Sequence, residues 1–276
     1  MSMNVDRAWD RLYSRLKDEG LLVDENNNRK IAPFVVKMRR TAAIIAICVC
    51  GGATALFLNL KKENELLVSI YNSDASKTLV STLHDGSIVY LAGGAELTCP
   101  EEFAVDRRQV ALKGEALFDV NGNKERPFLI ETEPALVEVT GTEFSVISYG
   151  KESFELSVQH GTVTVTLKST GVPVRVESGE KVLLHANQLQ KAQSDDERQF
   201  DRYSEKMHFK DERLENIVRV INKISDKPVI LADSTLEDRE LTIAFSNNMV
   251  AEMVELVCLA LDLTYIDDGK ELVIGR

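Results

Sequence analysis

Histidine, cysteine and tryptophan are scarce here: four, four and one among 276 residues. The cysteines are Cys48 and Cys50, inside an apolar run, and the widely separated Cys99 and Cys258. None pairs at metal-ligand spacing with a nearby histidine, and four cannot build a dense disulfide framework. Cys99 and Cys258 read as small buried hydrophobes. Also missing are a G-x-S-x-G elbow, an H-E-x-x-H helix and a phosphate-binding glycine loop. Positive charge is in deficit, 33 Lys/Arg against 44 Asp/Glu for a net charge of -11, which excludes nucleic-acid binding by the surface as a whole. The acids are plentiful, but nothing in the sequence singles out a catalytic pair. The expectation is a protein that is not an enzyme and carries no cofactor or metal. A hydrophobic share of 44% is too high for a disordered chain.

Charge is also missing locally. Residues 41–60, TAAIIAICVCGGATALFLNL, form a twenty-residue stretch without a charged side chain, about what a helix needs to cross a bilayer. Lys37, Arg39 and Arg40 precede it and Lys61 and Lys62 follow. The N-terminal side carries more, with Arg29 and Lys30 further back, so residues 1–40 are expected in the cytoplasm and the bulk outside it. Ala53-Thr54-Ala55 has the form of a signal-cleavage site, but a forty-residue segment with its own helical pattern argues against cleavage. Gly51 and Ala55 form a small-xxx-small pair of the kind found where helices approach closely. Residues 61–77 read as a juxtamembrane linker.

In VDRAWDRLYSRLKDEG, Val5, Trp9, Leu12 and Leu16 recur at three- and four-residue steps with Tyr13 alongside, one face of a short helix. Arg7, Arg11 and Arg15 share another face. A helix this short is marginal in water and needs a surface on which to bury Trp9 and its neighbours. That surface is either the inner leaflet or a groove on a cytoplasmic protein.

Residues 78–190 read as short strands punctuated by glycine. Alternating apolar residues, a glycine and a second alternating run recur in TLHDGSIVYL, VALKGEALFDV, VEVTGTEFSVIS, LSVQHGTVTVTL and VRVESGEKVLLH. The glycines are Gly86, Gly114, Gly141, Gly161 and Gly179, placed where strand connections often need positive φ. Repetition at this interval suggests a β-solenoid or β-roll, with a sandwich as the structural rival. His84 and His160 precede two of these glycines and read as strand-end residues. After a charged linker, residues 191–206, the texture changes. FKDERLENIVRVINKISDKPVIL from Phe209 and FSNNMVAEMVELVCLALDLTYID from Phe245 repeat at an offset of 36 residues. Leu214 matches Val250, Ile217 matches Met253, Val218 matches Val254 and Ile221 matches Val257. Each half reads as strand, amphipathic helix, strand, giving residues 207–276 as a small α+β domain of two βαβ-like halves with both helices on one face of a sheet. The whole is expected to be mainly β with a smaller α+β part and one transmembrane helix.

At these motifs the sequence resembles the FecR family of membrane-anchored anti-sigma factors. TLHDGSIVYLAGGAELTCP carries Asp85 and Gly86. Gly114, Glu115, Ala116, Phe118 and Val120 match G-E-A-x-F-x-V; Pro127 and Phe128 match a Pro-Phe pair; Val139, Gly141, Thr142, Phe144 and Val146 match V-x-G-T-x-F-x-V. Gly161 and Gly179 complete the set of motif glycines. Residues 207–276 look like the small domain that accompanies this family, similar to the signalling domains of secretins and TonB-dependent receptors. The resemblance implies an inner-membrane, single-pass transducer with a cytoplasmic N-terminus and a periplasmic bulk. It would bind an ECF sigma factor in the cytoplasm and the signalling domain of an outer-membrane TonB-dependent transporter in the periplasm, with site-specific proteases as further partners. The apolar anchors for the sigma factor would be Val5, Trp9, Leu12 and Leu16, and the strand Leu241, Thr242, Ile243, Ala244 and Phe245 is the candidate receptor contact. The rival readings are a membrane-tethered periplasmic scaffold without a sigma client and, on the solenoid precedent, a tethered glycan-processing enzyme.

Overall fold

The computed structural model describes residues 5–20, 66–194 and 199–276. The chain divides into two compact units, residues 1–64 and 65–276. In the first, Val5–Asp18 forms the helix α1. The expected membrane span, residues 41–60, lies outside the described residues, among which no helix is long and apolar enough to cross a membrane.

The second unit opens with β1 (Leu67–Tyr71), the hairpin β2 (Thr78–Thr82) to β3 (Ile88–Leu91), β4 (Glu96–Pro100) and the twelve-residue β5 (Arg108–Asp119). Four hairpins follow: β6 (Phe128–Glu131) with β7 (Ala135–Val139), β8 (Glu143–Gly150) with β9 (Ser153–His160), β10 (Thr162–Leu167) with β11 (Pro173–Glu177), and β12 (Glu180–His185) with β13 (Gln188–Gln193). They alternate between two layers. The β6–β7 and β10–β11 hairpins lie side by side in one layer through β7–β10 pairing, and β8–β9 and β12–β13 in the other through β9–β12 pairing. The layers belong to one continuous, nearly closed, barrel-like sheet of fifteen strands.

This overturns the β-solenoid expectation, and the reason lies in what the glycines do. A solenoid stacks successive strands in parallel, coil upon coil. Here the strands around Gly86 form an antiparallel hairpin, with Leu79 opposite Leu91. Gly114 sits inside a single strand, and Gly141, Gly161 and Gly179 stand where the chain leaves one layer for the other. An apolar–Gly–apolar pattern is common to all three situations, so the spacing alone cannot distinguish them.

β5 is the shared strand. Residues 108–113 pair with β4 and β6 in the first layer, and residues 114–119 with β3 and β8 in the second. The bend is at Gly114, whose φ of 107° is in the region favoured by glycine and whose missing Cβ would lie 2.8 Å from the Cα of Ala95. Between the layers sits the main core. Phe118, Phe128 and Phe144 are fully buried there, with Phe118 stacked on Phe144 at a centroid distance of 5.6 Å. Burying each such ring stabilises the fold by roughly 1.5–3 kcal/mol.

The C-terminal residues form the short helix α2 (Arg202–Glu205), β14 (Lys206–Arg213), α3 (Leu214–Ile224), β15 (Val229–Leu231), β16 (Glu240–Ser246), α4 (Val250–Leu261), β17 (Thr264–Asp267) and β18 (Leu272–Gly275). Both repeats are strand–helix–strand, and their helices begin at the matched positions Leu214 and Val250. They do not share one sheet, which corrects the expected layout. β14 pairs in parallel with β2 and carries β16 as an extension of the large sheet, while β15, β18 and β17 form a separate three-stranded sheet. The outer faces of β2, β3 and β5 explain the merger. Val80, Ile88, Tyr90 and Leu117 point away from the main core and are buried in a second one with Phe209, Ile217, Val254 and Val257. These strands are apolar on both faces, hence the run Ile88-Val89-Tyr90-Leu91 without alternation.

Gly114→Ala is expected to destabilise the second unit by about 2–4 kcal/mol, because it adds a contact shorter than van der Waals distance to a positive-φ strain. Chemical denaturation of residues 65–276 measures this; a loss under about 1 kcal/mol would mean that β5 can bend without glycine.

Candidate interaction sites

The Asp-Gly turn between β2 and β3 builds a polar cluster around the buried Arg108 and Ser87. Asp85 accepts the backbone N–H of Ser87 at 3.0 Å, the Ser87 hydroxyl at 2.7 Å and Nη1 of Arg108 at 2.7 Å. Arg108 is 2% exposed. It also donates from Nη1 to the Asn121 carbonyl at 2.8 Å and from Nε to the Arg126 carbonyl at 2.9 Å, and its guanidinium lies over the Phe128 ring at 5.4 Å. Asn121 closes the ring, donating from its side chain to the Asp85 carbonyl at 3.0 Å. The cluster therefore ties the β2–β3 turn, the start of β5 and the loop before β6 together. Sequence reasoning named Asp85, Pro127 and Phe128 but missed Arg108. The signal was present: Arg108 has the same strand parity as the buried Val110 and Leu112, so its side chain points inward and needs a carboxylate.

Other motif residues are placed by packing. An added Cβ at Gly141 would lie 2.7 Å from the Cα of Gly122, and Thr142 donates from Oγ1 to the Thr162 carbonyl at 3.0 Å. Glu115 reaches the C-terminal part, accepting from the Tyr203 hydroxyl at 2.9 Å and from Arg202 at 2.8 Å. Close by, burial and the Glu115 charge hold the Tyr203 phenol well above its ordinary range.

Where β2 meets β14, a polar cleft of about 460 Å³ is lined by His84 and Gly86 from the first part and by Lys210, Glu212, Arg213 and Arg219 from the second. Glu212 is buried at its base. Its carboxylate accepts the Thr82 N–H at 3.2 Å and the Asn216 side chain at 2.6 Å, so one acid joins β2 to α3. Burial raises the Glu212 pKa above the usual carboxylate value, against the lowering effect of these hydrogen bonds. Lys223 on α3 forms a second link, an ion pair with Asp119 of β5.

The surfaces expected to meet partners are of two kinds. On α1, Trp9 is 64% exposed and Tyr13 63%, with Leu12 exposed and Leu16 half-buried. Val5 opens the same helix, at the i−4 position from Trp9. The helix brings Trp9, Leu12 and Leu16 to one face, exposed at Trp9 and Leu12 and half-buried at Leu16. On β16, Leu241 and Phe245 turn into the core, Thr242 and Ala244 face outward, and Ile243 is half-buried. β16 ends the large sheet, so it offers a main-chain edge more than apolar side chains.

Asp85→Ala is expected to cost about 3–5 kcal/mol, because it strands a buried guanidinium, and Asp85→Ala with Arg108→Met to cost clearly less than the single change. Equal losses in urea denaturation would show that the pair contributes nothing beyond packing. For Glu212, a folded-state pKa raised above the unfolded one means that the native state holds the extra proton. Its contribution is complete below the unfolded pKa and is lost as pH rises through the folded value. Relative to Glu212→Gln, the native chain should therefore lose stability as pH rises above about 4.5, the ordinary carboxylate value; parallel pH–stability curves would contradict this.

The comparisons with known proteins fit this architecture. A family model described as "FecR protein" matches residues 69–164, and one described as "FecR, C-terminal" matches residues 206–274. Among solved structures, two crystal structures of a candidate anti-sigma factor from Parabacteroides distasonis ATCC 8503 resemble the chain at 22% and 21% identity, with TM-scores of 0.47 and 0.46. Each alignment covers 76% of this chain and 99% of that one. None of the curated proteins matches. Two family models in register, one on the barrel-like part and one on the repeat part, together span more than half of the sequence, and the chain belongs to the FecR family.

Proposed function

We propose that the chain is a membrane-anchored signal transducer of the anti-sigma type. The uncharged run 41–60 anchors it in the inner membrane, the α1 unit lies in the cytoplasm, and residues 65–276 lie in the periplasm. α1 binds an ECF sigma factor. The periplasmic unit senses the occupancy of a TonB-dependent transporter through that transporter's signalling domain.

The observation that carries this reading is the helix Val5–Asp18, in a compact unit separate from the FecR unit, with Trp9, Leu12 and Tyr13 exposed on a segment too short to be stable by itself. Such a face meets the requirements of helix-in-groove binding, with anchors at i, i+3 and i+7. A buried tryptophan anchor commonly carries 2 kcal/mol or more of binding free energy. On the periplasmic side, the terminal strand β16 suits pairing with a partner's sheet edge. The links of Glu212 and Lys223 to β2 and β5 support mechanical continuity between that strand and the barrel-like part.

The test is affinity capture with the detergent-solubilised full-length chain from its native cells, read by mass spectrometry. An ECF sigma factor is expected among the captured proteins and is expected to fall at least tenfold with Trp9→Ala. A sigma factor retained equally by Trp9→Ala would move the contact away from α1, and no sigma factor at all would leave a periplasmic scaffold.

A further inference from the structure

The first strand of the second unit is built unlike the other edges. β1 has the sequence Leu67-Val68-Ser69-Ile70-Tyr71, with no charge and no proline, and among the described residues pairs on one side only, with β4. It nevertheless exposes large apolar side chains, Leu67 at 63% and Tyr71 at 58%, with Leu66 beside them at 73%. Proteins protect sheet edges with charge, proline or brevity. The other terminal strands among the described residues follow that rule. β11 carries Pro173, Arg175 and Glu177, β13 carries Lys191 among glutamines, β17 carries Asp267, β16 carries Glu240 and faces solvent with Thr242 and Ala244, and β15 has three residues.

The hydrogen-bonding phase of β1 is determined by its ends. Glu101 donates to the Leu66 carbonyl at 2.9 Å and Asn72 to the Ala95 carbonyl at 3.0 Å. Antiparallel pairing alternates, so Val68 and Ile70 bond to β4, and Leu67, Ser69 and Tyr71 direct their main-chain groups outward. That outward edge is self-complementary. A second copy laid antiparallel about Ser69 pairs Leu67 with Tyr71, Ser69 with Ser69 and Tyr71 with Leu67, making about six hydrogen bonds. Each exposed leucine then packs on an exposed tyrosine, a favourable cross-strand pair. No like charges meet within the paired segment, because Leu67–Tyr71 carries no charged side chain.

We propose that β1 is a homodimerisation edge, at which two copies of this chain join their sheets through antiparallel β1–β1 pairing centred on Ser69. The neutral, twofold-matched sequence favours a second copy over an unrelated strand. This goes beyond the sigma-factor reading and does not depend on it.

The experiment uses the full-length chain with Cys48→Ala and Cys50→Ala, leaving the buried Cys99 and Cys258 as background thiols. Ser69→Cys places two thiols at directly opposed positions, whose Cα separation of about 5.5 Å is within disulfide range. Mild oxidation in cells is expected to yield a disulfide-linked dimer on non-reducing gels, absent without Ser69→Cys. Adding Leu67→Lys with Tyr71→Lys sets like charges opposite each other and is expected to reduce the dimer at least tenfold. Replacing that pair by Leu67→Lys with Tyr71→Glu sets opposite charges in the same register and is expected to restore it. Both positions are exposed, and a melting curve by circular dichroism verifies that each variant folds. Three outcomes would overturn the proposal: no dimer at Ser69→Cys, equal cross-linking in the Lys/Lys variant, which signals random collision, or no recovery in the Lys/Glu variant, which makes the strip an apolar contact such as a lipid surface.

Discussion

β5 belongs to two layers at once, and the rest of the second unit follows from that. A strand can serve both layers only if it bends sharply while keeping its hydrogen bonds on either side of the bend. Gly114 permits this by occupying a positive φ and by leaving the space that Ala95 fills. With β5 placed, β4 and β6 are set on one layer and β3 and β8 on the other, and the four hairpins that follow alternate outward from them. Phe118, on the second-layer half of β5, lies 6.3 Å from Phe128 of the first layer and 5.6 Å from Phe144 of its own, so aromatic rings of both layers meet in the interior.

The buried Arg108–Asp85 pair locks the N-terminal end of the same strand. Burying an ion pair is costly in desolvation, and the structure offsets this cost with neighbouring donors and acceptors: the Ser87 hydroxyl, the Asn121 and Arg126 carbonyls and the face of Phe128. Because the pair tolerates little displacement, it specifies the register between the β2–β3 turn and β5. The family's Asp-Gly signature is thus architectural in this chain, and its partner is an arginine 23 residues away.

The C-terminal repeat completes the barrel-like part instead of hanging from it. It covers Val80, Ile88, Tyr90 and Leu117, extends the sheet through β14 and β16, and is bound to β2 and β5 by Glu212 and Lys223. β16 lies two places from β2 in the same sheet. Strand pairing is continuous from β16 through β14, β2 and β3 to β5, the strand that crosses both layers.

Local pattern was legible where a short window determines the outcome. The amphipathic spacing of Val5, Trp9, Leu12 and Leu16 determined a helix, the 36-residue offset matched the helical positions of α3 and α4, and the Asp-Gly dipeptide marked a turn. What failed was non-local. The glycines at 114, 141, 161 and 179 look alike in sequence, yet one bends a strand and three carry the chain between layers. Which role a glycine takes depends on strands paired from far along the chain. Likewise, Arg108 finds Asp85, and β14 finds β2, only when the core closes. The sequence by itself determined the elements, the repeat and the family motifs, because these rest on side-chain periodicity and backbone preference over a few residues. The layer assignment, the merger of the two parts into one sheet and the buried ion pair were decided by tertiary structure, because they rest on which distant apolar faces can be buried together.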